Sequence, residues 1–379
     1  MRSGASENPS AGDAVARSSL GGQPPAEAVD FDEQEPGRGR AAAHPLHIPW
    51  RGWRDIVWRV SREFGEDKLT VVAGGVTYFT LLAIFPALGV FVSLYGLIAD
   101  VGAVQAQLAQ LSVIFPPEAV SLLGDQMMRL ASGQAASLSL AFLVSLLLSL
   151  WSAGAGIRAL VDGLNVAYDE AERRPYLLRT AVTYAFTLVL LVFLAAISVI
   201  LVAAPIVLAW FGIREGLLVA ARWPLVFVVA AGCFAVAYRY GPSRKPARWR
   251  WIAPGAFAAA ALWIAGSAGF SWYLNHVARL DATYGSLGAA IAFMLWVWVS
   301  VLIVLLGAEL NAEIEHQTAQ DSTVGPPKPM GQRGAAVADE VGGGFMGLRA
   351  GADHVRDLAR RFRPTRLRGR PAAPPGPRR

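Results

Sequence analysis

The chain has 379 residues, of which 54% are hydrophobic and only 16% are charged, and its formal net charge is +6. A soluble domain is usually about one quarter charged, so this composition and a mean hydropathy of +0.40 exclude that class and indicate an integral membrane protein. The single cysteine, Cys233, excludes an internal disulfide and a cysteine-based metal cluster. We expect no bound cofactor.

Residues 1–48 contain mostly Ser, Gly, Pro, Ala and charged residues, and they lack the apolar core of a cleavable signal peptide. We predict a disordered cytoplasmic tail here.

Residues 50–66 have the pattern of an amphipathic helix. One face of that helix carries five apolar side chains, namely Trp53, Ile56, Val57, Val60 and Phe64. Four arginines lie largely on the other faces: Arg51, Arg54, Arg59 and Arg62. This arrangement is typical of a helix in the headgroup region, anchored by Trp and attracted by anionic lipid. We therefore predict an interfacial helix, in preference to a soluble helix packed on a cytoplasmic loop.

Six apolar runs are long enough to cross a bilayer as helices, which takes about 20 residues. They are residues 71–98, 136–160, 181–210, 217–238, 251–273 and 284–310. Lipid offers no partner to an unpaired backbone group, so each run is predicted to be helical. The predicted fold class is all-α: a polytopic bundle of about six transmembrane helices that occupies residues 49–316.

Pro86 falls near the middle of the first predicted span, where it removes a helical hydrogen bond and is expected to kink the helix. The kink either shapes a cavity or fits a neighbouring helix. Residues 100–135 carry two short apolar stripes separated by Pro116 and Pro117. We predict two short amphipathic helices on the outer face, which cap the bundle or form a lid over it.

The distribution of Lys and Arg predicts the orientation, because cytoplasmic loops carry an excess of both. With both termini inside, the inner loops contain eight of them: Arg173, Arg174, Arg179, Arg239, Arg244, Lys245, Arg248 and Arg250. The outer loops then contain Arg129, Arg214, Arg222 and Arg279. We predict a multi-pass protein of the bacterial inner membrane with both termini in the cytoplasm.

Residues 317–379 are rich in Gly, Pro, Ala and Arg and are predicted to form a disordered, basic cytoplasmic tail. Anionic lipid headgroups are its expected partner. Nucleic acid is not expected, because Phe362 is the only ring near the basic end that could stack on a base.

The second and sixth predicted spans both run inward and end in polar residues. Arg158 and Glu309 should therefore lie at similar depth, where an ion pair would shelter the carboxylate from lipid. We predict that the polar residues around them line an inner vestibule: Trp151, Ser152, Asn165, Tyr168 and Asn311. This group either locks the helices together or forms part of a substrate or proton path.

Residues with the spacing of a catalytic or metal site are not found in the sequence. The five histidines, His44, His47, His276, His316 and His354, are scattered, and there is no GxSxG elbow or phosphate-binding glycine loop. We predict no catalytic residues, no metal ligands and no enzymatic activity.

Three stretches resemble the YihY/BrkB family of bacterial inner-membrane proteins. They are AGGVTYFTLLAIFPALGVFVSLYGL at 73–97, WSAGAGIRALVDGLNVAYDEAERRPYLLR at 151–179, and a segment within 252–313 that contains YGSLGA and GAELNAE. The resemblance implies about six spans and no settled activity. Members labelled ribonuclease BN share that name with a metal-dependent nuclease whose histidine-rich motifs this chain lacks, and one branch is associated with export of lipopolysaccharide precursors.

The family pattern points to fourteen positions: Tyr78, Pro86, Trp151, Asn165, Tyr168, Arg174, Pro175, Pro254, Gly255, Tyr284, Gly285, Gly307, Glu309 and Asn311. The small residues Gly285, Gly288 and Gly307 are expected to be helix-packing contacts, and so is Tyr284. Together these observations favour a transporter or flippase-like protein for a lipid or small polar solute. The alternatives are a non-transporting envelope scaffold and, last, a ribonuclease.

Overall fold

The computed structural model describes residues 35–95, 124, 140–190, 192–193, 215–278, 280, 284 and 287–345. Within these ranges all regular structure is helical, apart from one isolated antiparallel bridge between Ala247 and Thr323. The predicted all-α fold class is confirmed.

A single 3₁₀ turn, Pro45–His47, precedes the helices. In chain order we label the helices α1 (Trp50–Glu66), α2 (Leu69–Tyr95), α3 (Leu140–Ala167), α4 (Tyr176–Leu190), α5 (Glu215–Tyr240), α6 (Trp249–His276), α7 (Gly288–His316) and α8 (Ala336–Asp339). Each of the six predicted spans overlaps one of the helices from α2 to α7. Residues 191 and 194–210 of the third span lie outside the described residues, and so do the predicted outer-loop helices, apart from residue 124.

By length and composition, three of the described helices can cross a membrane: the Trp223–Tyr240 part of α5, the whole of α6 and the whole of α7. A fourth is added if α1 and the Leu69–Ile84 part of α2, which meet at 60°, count as one bent span. The protein is therefore a polytopic helical membrane protein, and the total of six spans stays a prediction.

Helix α7 is the centre of the bundle and contacts α1, α2, α3, α6 and α8. Its buried apolar side chains recur every three or four residues, as expected for one face of a helix: Ala292, Phe293, Trp296, Val297, Val301, Leu305, Ala308 and Ala312. Around it, α2 packs against α3, and α5 packs against α6.

The last two turns of α7 differ from the rest of the helix because they are enclosed on nearly all sides. Every residue of 307–315 except Leu310 is buried. The ends of α3 and α5 and the starts of α2 and α6 meet here, and we call this region the polar end of the bundle. Glu309, Asn311, Glu313 and Glu315 therefore project into protein and not into lipid.

The segments before α1 and after α7 are packed, which corrects part of the two predicted disordered tails. Gln317, Thr318 and Ala319 form hydrogen bonds of 2.7–3.2 Å with the backbone oxygens of Arg38, Arg40 and Ala42. The guanidinium of Arg40, 2% exposed, donates to the carbonyl oxygen of Gly342 at 2.8 Å. Residues 35–48 and 317–345 are thus held by polar contacts between distant parts of the chain, which an apolar periodicity does not reveal. The predicted disorder of residues 1–34 and 346–379 concerns residues outside those described.

Helix α1 has the predicted bounds, but it packs on the end of α7 through Ile56 and Arg59, which are both buried. The expectation that Arg59 lies near anionic lipid headgroups is wrong, because it is buried and pairs with Glu313. Val57, on the predicted apolar face, is 61% exposed, which agrees with a side chain directed toward the membrane. Arg51, Arg54 and Arg62 are exposed, and their contact with anionic lipid stays a prediction.

Candidate functional site

The polar end of α7 presents a polar side chain at every second residue. Glu309, Asn311, Glu313 and Glu315 are each at most 3% exposed. Successive side chains on a helix are 100° apart, so Glu309 and Glu313 share one face, Asn311 and Glu315 share a nearly opposite one, and the four meet different elements. Their partners decide what the region can do.

Asn311 joins α7 to α6. Its Oδ1 accepts a hydrogen bond of 2.7 Å from the backbone N–H of Gly255. The two helices touch here because neither has a side chain at the crossing: a Cβ on Gly307 would lie 2.7 Å from Cβ of Ala259 and 2.9 Å from the carbonyl oxygen of Gly255. Gly307 therefore has the packing role that the resemblance implied.

Glu313 joins α7 to α1 and to the segment after α7. Its carboxylate accepts from Nε of Arg59, and its backbone oxygen accepts from Nη2 of the same arginine at 3.0 Å. The remaining donors of Arg59 reach Oε1 of Gln317 at 2.8 Å and the carbonyl oxygen of Gly343 at 2.9 Å. Each nitrogen of Arg59 thus has a partner, which is typical of a structural lock.

Glu315 is buried with Arg244, which follows α5. Oε2 of Glu315 lies 2.7 Å from Nη2 of Arg244, and the two side chains are 0% and 2% exposed. The guanidinium carbon of Arg244 lies 4.9 Å from the ring centroid of Tyr168, within cation–π range. This pair is not saturated, because Nη1 of Arg244 and Oε1 of Glu315 have no hydrogen-bond partner among the described residues.

Tyr168, directly after α3, is at the centre of these groups and is 1% exposed. Its phenol lies near Asn311, Arg244, Glu315 and Glu309, and burial raises its pKa above the ordinary value, so the hydroxyl keeps its proton. We call these five residues, Tyr168, Arg244, Glu309, Asn311 and Glu315, the polar cluster.

Each member of the polar cluster has a buried polar atom without a hydrogen bond of normal geometry in the described parts of the chain, although the Tyr168 hydroxyl lies within reach of the Asn311 side chain. These atoms are Tyr168 Oη, Arg244 Nη1, Glu309 Oε1, Asn311 Nδ2 and Glu315 Oε1. Buried polar atoms are almost always hydrogen-bonded, to protein or to an enclosed polar molecule. The cluster therefore has the chemistry of a site that accepts water or a small polar group.

Glu309 faces Asp67, the first residue after α1, and their carboxyl groups lie within hydrogen-bonding reach of each other. Burial raises the pKa of Asp67 above its usual value, and the hydrogen bond with Glu309 acts in the opposite direction. No three His, Cys, Asp or Glu side chains in the described ranges converge closely enough to hold a metal ion.

Comparison with known proteins decides the family. The model of the family described as virulence factor BrkB matches residues 60–331, which include the whole polar cluster and Asp67. The chain belongs to the BrkB family.

Two curated proteins are 30% identical to this BrkB-family chain, and each alignment covers 68% of it. One is YfkH of Bacillus subtilis, whose name describes it as ribonuclease-like and of which 93% is covered. The other is a UPF0761 membrane protein of Alkalilimnicola ehrlichii, of which 57% is covered. A UPF0761 membrane protein of Aggregatibacter aphrophilus is 26% identical, with 92% of it covered. No solved structure gives a significant match.

Arg158 of this BrkB-family protein does not pair with Glu309, so the predicted ion pair is wrong. Nη1 of Arg158 lies 3.4 Å from the position that a Cβ on Gly154 would take, on the same side as Thr183 of α4. Arg158 is ten residues before Tyr168, which is about 15 Å along a helix with a rise of about 1.5 Å per residue. The two charged groups therefore lie at different levels of the bundle, and Glu309 faces the α1–α2 corner instead.

Some of the other predicted vestibule residues lie in the polar cluster and some lie far from it. Tyr168 and Asn311 join Glu309 in the polar cluster. Trp151 is 57% exposed and about 25 Å from Tyr168 along α3, and Ser152 is buried at that same distant level. Neither of them lines the polar cluster.

Asn165 is buried but lies outside the polar cluster, where it forms hydrogen bonds to the loops after α3 and after α5. Its Oδ1 accepts from the backbone N–H of Ser243 at 2.7 Å, and its Nδ2 donates to Glu172 at 3.2 Å. The loops after α3 and after α5 are thereby fixed beside the polar cluster.

Of the remaining family-pattern positions, Gly288 is buried and Tyr284 is 50% exposed, so the predicted packing role is not supported for Tyr284. Gly285 lies outside the described residues. Pro86 lies within α2, and its side-chain contacts are outside the described part of the chain.

Sequence reasoning did not identify Asp67, Arg244 and Glu315 as site residues. Arg244 was counted only as an inner-loop charge. The available signal was the run of acids at Glu309, Glu313 and Glu315, because three carboxyl groups on one helix end require partners from several elements.

Proposed function

We propose that this BrkB-family protein is a transporter or flippase-like protein for a lipid or small polar solute in the bacterial inner membrane. The observation that supports this proposal is the contrast between two buried charged groups at the polar end. Arg59 and Glu313 are saturated with hydrogen bonds, whereas each member of the polar cluster has an unused polar atom. A bundle that served packing alone would gain stability by satisfying both.

The unused atoms indicate which kind of headgroup or solute, here called the guest, the polar cluster would bind. Three of them belong to donors: Tyr168 Oη, Arg244 Nη1 and Asn311 Nδ2. Two are carboxyl oxygens, on Glu309 and Glu315. A headgroup or solute with both an anionic or hydroxyl part and a donor part suits this mixture, because arginine and phenol donors match phosphate and hydroxyl oxygens.

The polar end is proposed to face the cytoplasm, with both chain termini on that side. Arg173, Arg174, Arg244 and Lys245 lie in the connections that surround this end, and cytoplasmic loops are rich in Lys and Arg. A guest entering the polar cluster would then come from the cytoplasm or from the inner leaflet. Because the chain has no nucleotide-binding motif, the proposed movement is passive or ion-coupled.

The proposal includes that the protein is not an enzyme. The name of YfkH describes that relative as ribonuclease-like, and the ribonuclease alternative for this chain has a direct test. The purified full chain is incubated with RNA in the presence of Mg²⁺, Mn²⁺ and Zn²⁺ in turn. Metal-dependent cleavage that co-purifies with the protein would replace transport by hydrolysis as the proposed function.

Transport is tested by reconstituting the full chain in liposomes with a phospholipid that carries a fluorescent label reducible by dithionite. A labelled small polar solute is the second probe. We expect faster movement of one probe than in protein-free liposomes, and a reduced rate for Glu309→Ala and for Tyr168→Phe, which removes only the hydroxyl. The matched control is Glu66→Gln, a 63% exposed carboxylate, which should behave as the unmodified protein.

Equal rates in liposomes with unmodified protein, with Glu309→Ala and without protein would overturn the proposal for the probe concerned. Gel filtration of each variant in detergent shows that a low rate does not come from unfolding.

A further inference from the structure

The corner between α1 and α2 brings one carboxyl group against another. The two helices meet at 60° around Asp67 and Lys68. Lys68 has a left-handed φ of 51°, which makes the turn tight, and the N–H of Asp67 caps α1 on the carbonyl oxygen of Glu63 at 2.8 Å. The side chain of Asp67 is thereby placed against Glu309 of α7.

Two ionised carboxylates cannot hydrogen-bond each other, because both are only acceptors. Contact between Asp67 and Glu309 is therefore favourable when one of them has a proton. Glu309 is 2% exposed and Asp67 is half-buried, so the proton belongs on Glu309, where an uncompensated charge would cost more. Oε1 of Glu309 has no donor among the described residues, which indicates that no other group neutralises this carboxyl.

The charged groups around the pair are mainly acidic. The carboxylates of Asp169, Glu63 and Glu66 disfavour a negative charge on Asp67. Those of Glu313 and Asp169 disfavour a negative charge on Glu309. Burial raises the pKa of Asp169 as well as that of Asp67, which fits a region where negative charge is disfavoured.

The neighbouring cations are engaged elsewhere. Arg59 is bound by Glu313 and Gln317, and Arg62 is bound by Glu63. His316 lies 3.3 Å from Glu313. It also interacts electrostatically with Asp169, as Glu340 does. Arg158 lies beside Gly154, and Arg244 is paired with Glu315. No cation in the described ranges forms an ion pair with Asp67 or Glu309.

We propose that Asp67 and Glu309 bind one exchangeable proton between them, and that this proton holds the α1–α2 corner against α7. When the proton leaves to water, two adjacent carboxylates remain in an acidic surrounding and repel each other. The corner then separates from α7 on the side where Glu309 contributes to the polar cluster. If the proposed transport function holds, on which this extension rests, the proton is the ion that controls access to the polar cluster.

The proton is measured directly by infrared difference spectroscopy of the purified full chain in lipid nanodiscs, titrated with acid and base. We expect a protonated-carboxyl C=O band at neutral pH that disappears as the pH rises. The band should be lost in Glu309→Gln. In Asp67→Asn the amide donates to Glu309 without a proton, so the band should disappear at lower pH than in the unmodified protein.

Asp162→Asn is the control, because this carboxylate is 49% exposed and pairs with Arg179, away from Asp67 and Glu309, and the variant should keep the band and its pH dependence. Gel filtration shows that each variant is folded, and Asp67→Asn serves if Glu309→Gln does not fold. A missing band in the unmodified protein, or one that both substitutions leave unchanged, would overturn the proposal. A band that is removed at constant pH by Na⁺ but not by choline would also overturn it, since the bound ion would then be sodium.

This measurement needs no transported substrate, so its result is independent of the transport assay. If the protein moves lipid or solute but shows no titrating band, the proton site is excluded and the proposed transport function is retained. If the band titrates but the protein moves neither probe, the proton site is retained and the proposed transport function is lost for those probes.

Discussion

The backbone N–H of Gly255 on α6 donates a hydrogen bond of 2.7 Å to Oδ1 of Asn311 on α7. This bond forms because Gly255 and Gly307 let the two helices approach until their backbones are in contact. Tyr238 of α5 adds a second polar contact at the same level, from its hydroxyl to the carbonyl oxygen of Val304 at 2.7 Å. Three helices are therefore fixed to one another directly beside the polar cluster.

The glycine crossing predicts a large effect for the smallest side chain. A Cβ on Gly255 would overlap the carbonyl oxygen of Gly307 and the amide of Asn311. We expect Gly255→Ala to destabilise the protein by about 1–3 kcal/mol or more, the usual range for overpacking. Thermal unfolding of the protein in detergent, followed by gel filtration, measures this.

Gly269→Ala is the matched control on the same helix, because nothing lies within 4 Å of the position of its Cβ. It should be neutral or stabilising by up to about 1 kcal/mol, the helix-propensity difference between Gly and Ala. Similar losses for both variants would contradict the close crossing.

The Arg59–Glu313 lock predicts strong coupling between α1 and α7. The two side chains are 3% and 4% exposed, so removing either leaves a buried charge without its partner. We expect Arg59→Ala and Glu313→Ala each to cost about 3–5 kcal/mol. The double variant should cost clearly less than the sum, as measured by a double-mutant cycle of unfolding free energies.

Arg62→Ala provides the comparison for this cycle, since Arg62 is 46% exposed and pairs with Glu63 and Glu66 at the surface. Its loss should cost less than about 1 kcal/mol. Additive single substitutions at Arg59 and Glu313 would show that the pair does not hold the helices together.

The packed segment after α7 predicts different results for two truncations. Deleting residues 346–379 leaves every described contact in place and should not change the unfolding temperature. Deleting residues 317–379 also removes Gln317 and Thr318 from Arg59, Arg38 and Arg40, and the protein should then unfold at clearly lower temperature.

The same pair of truncations tests the envelope-scaffold alternative. A scaffold that acts through its basic tail should lose its cellular effect when residues 346–379 alone are removed, although the protein remains folded. Transport in liposomes should survive that deletion.

The hydrogen bonds of Asp321 predict how the stability of the segment after α7 changes at low pH. Burial raises the pKa of this carboxyl, but hydrogen bonds from Thr323 and Lys328 at 2.8–2.9 Å outweigh burial and hold the pKa below its usual value. A lowered pKa contributes stability above the unfolded-state value of about 3.9, and that stability is lost as the pH falls through the folded-state value.

We therefore expect Asp321→Asn to destabilise the segment at neutral pH by about 1–3 kcal/mol, with a smaller difference from the unmodified protein below about pH 4. Hydrogen exchange of residues 317–345 at both pH values measures the effect. Glu340→Gln, at an exposed side chain, should exchange as the unmodified protein does at both. An Asp321→Asn effect that grows in acid would contradict the assignment.

The sequence by itself determined where the helices are. The bounds of α1 match the prediction, and those of α5 and α6 differ from it by at most three residues at either end. This succeeded because helix formation in lipid depends on local properties: the length of an apolar run and the period of its polar residues. The sequence also indicated that Glu309, Asn311 and Tyr168 belong to one polar region.

The tertiary structure alone decided which side chains meet. Glu309 lies against Asp67 and not Arg158, and the lock on Glu313 comes from Arg59, 254 residues earlier in the chain. Arg40 and Gln317, which hold the two flanking segments together, are 277 residues apart. Such pairs depend on the angle at which helices cross and on the direction of one turn at Lys68, and neither property leaves a period or a composition in the sequence.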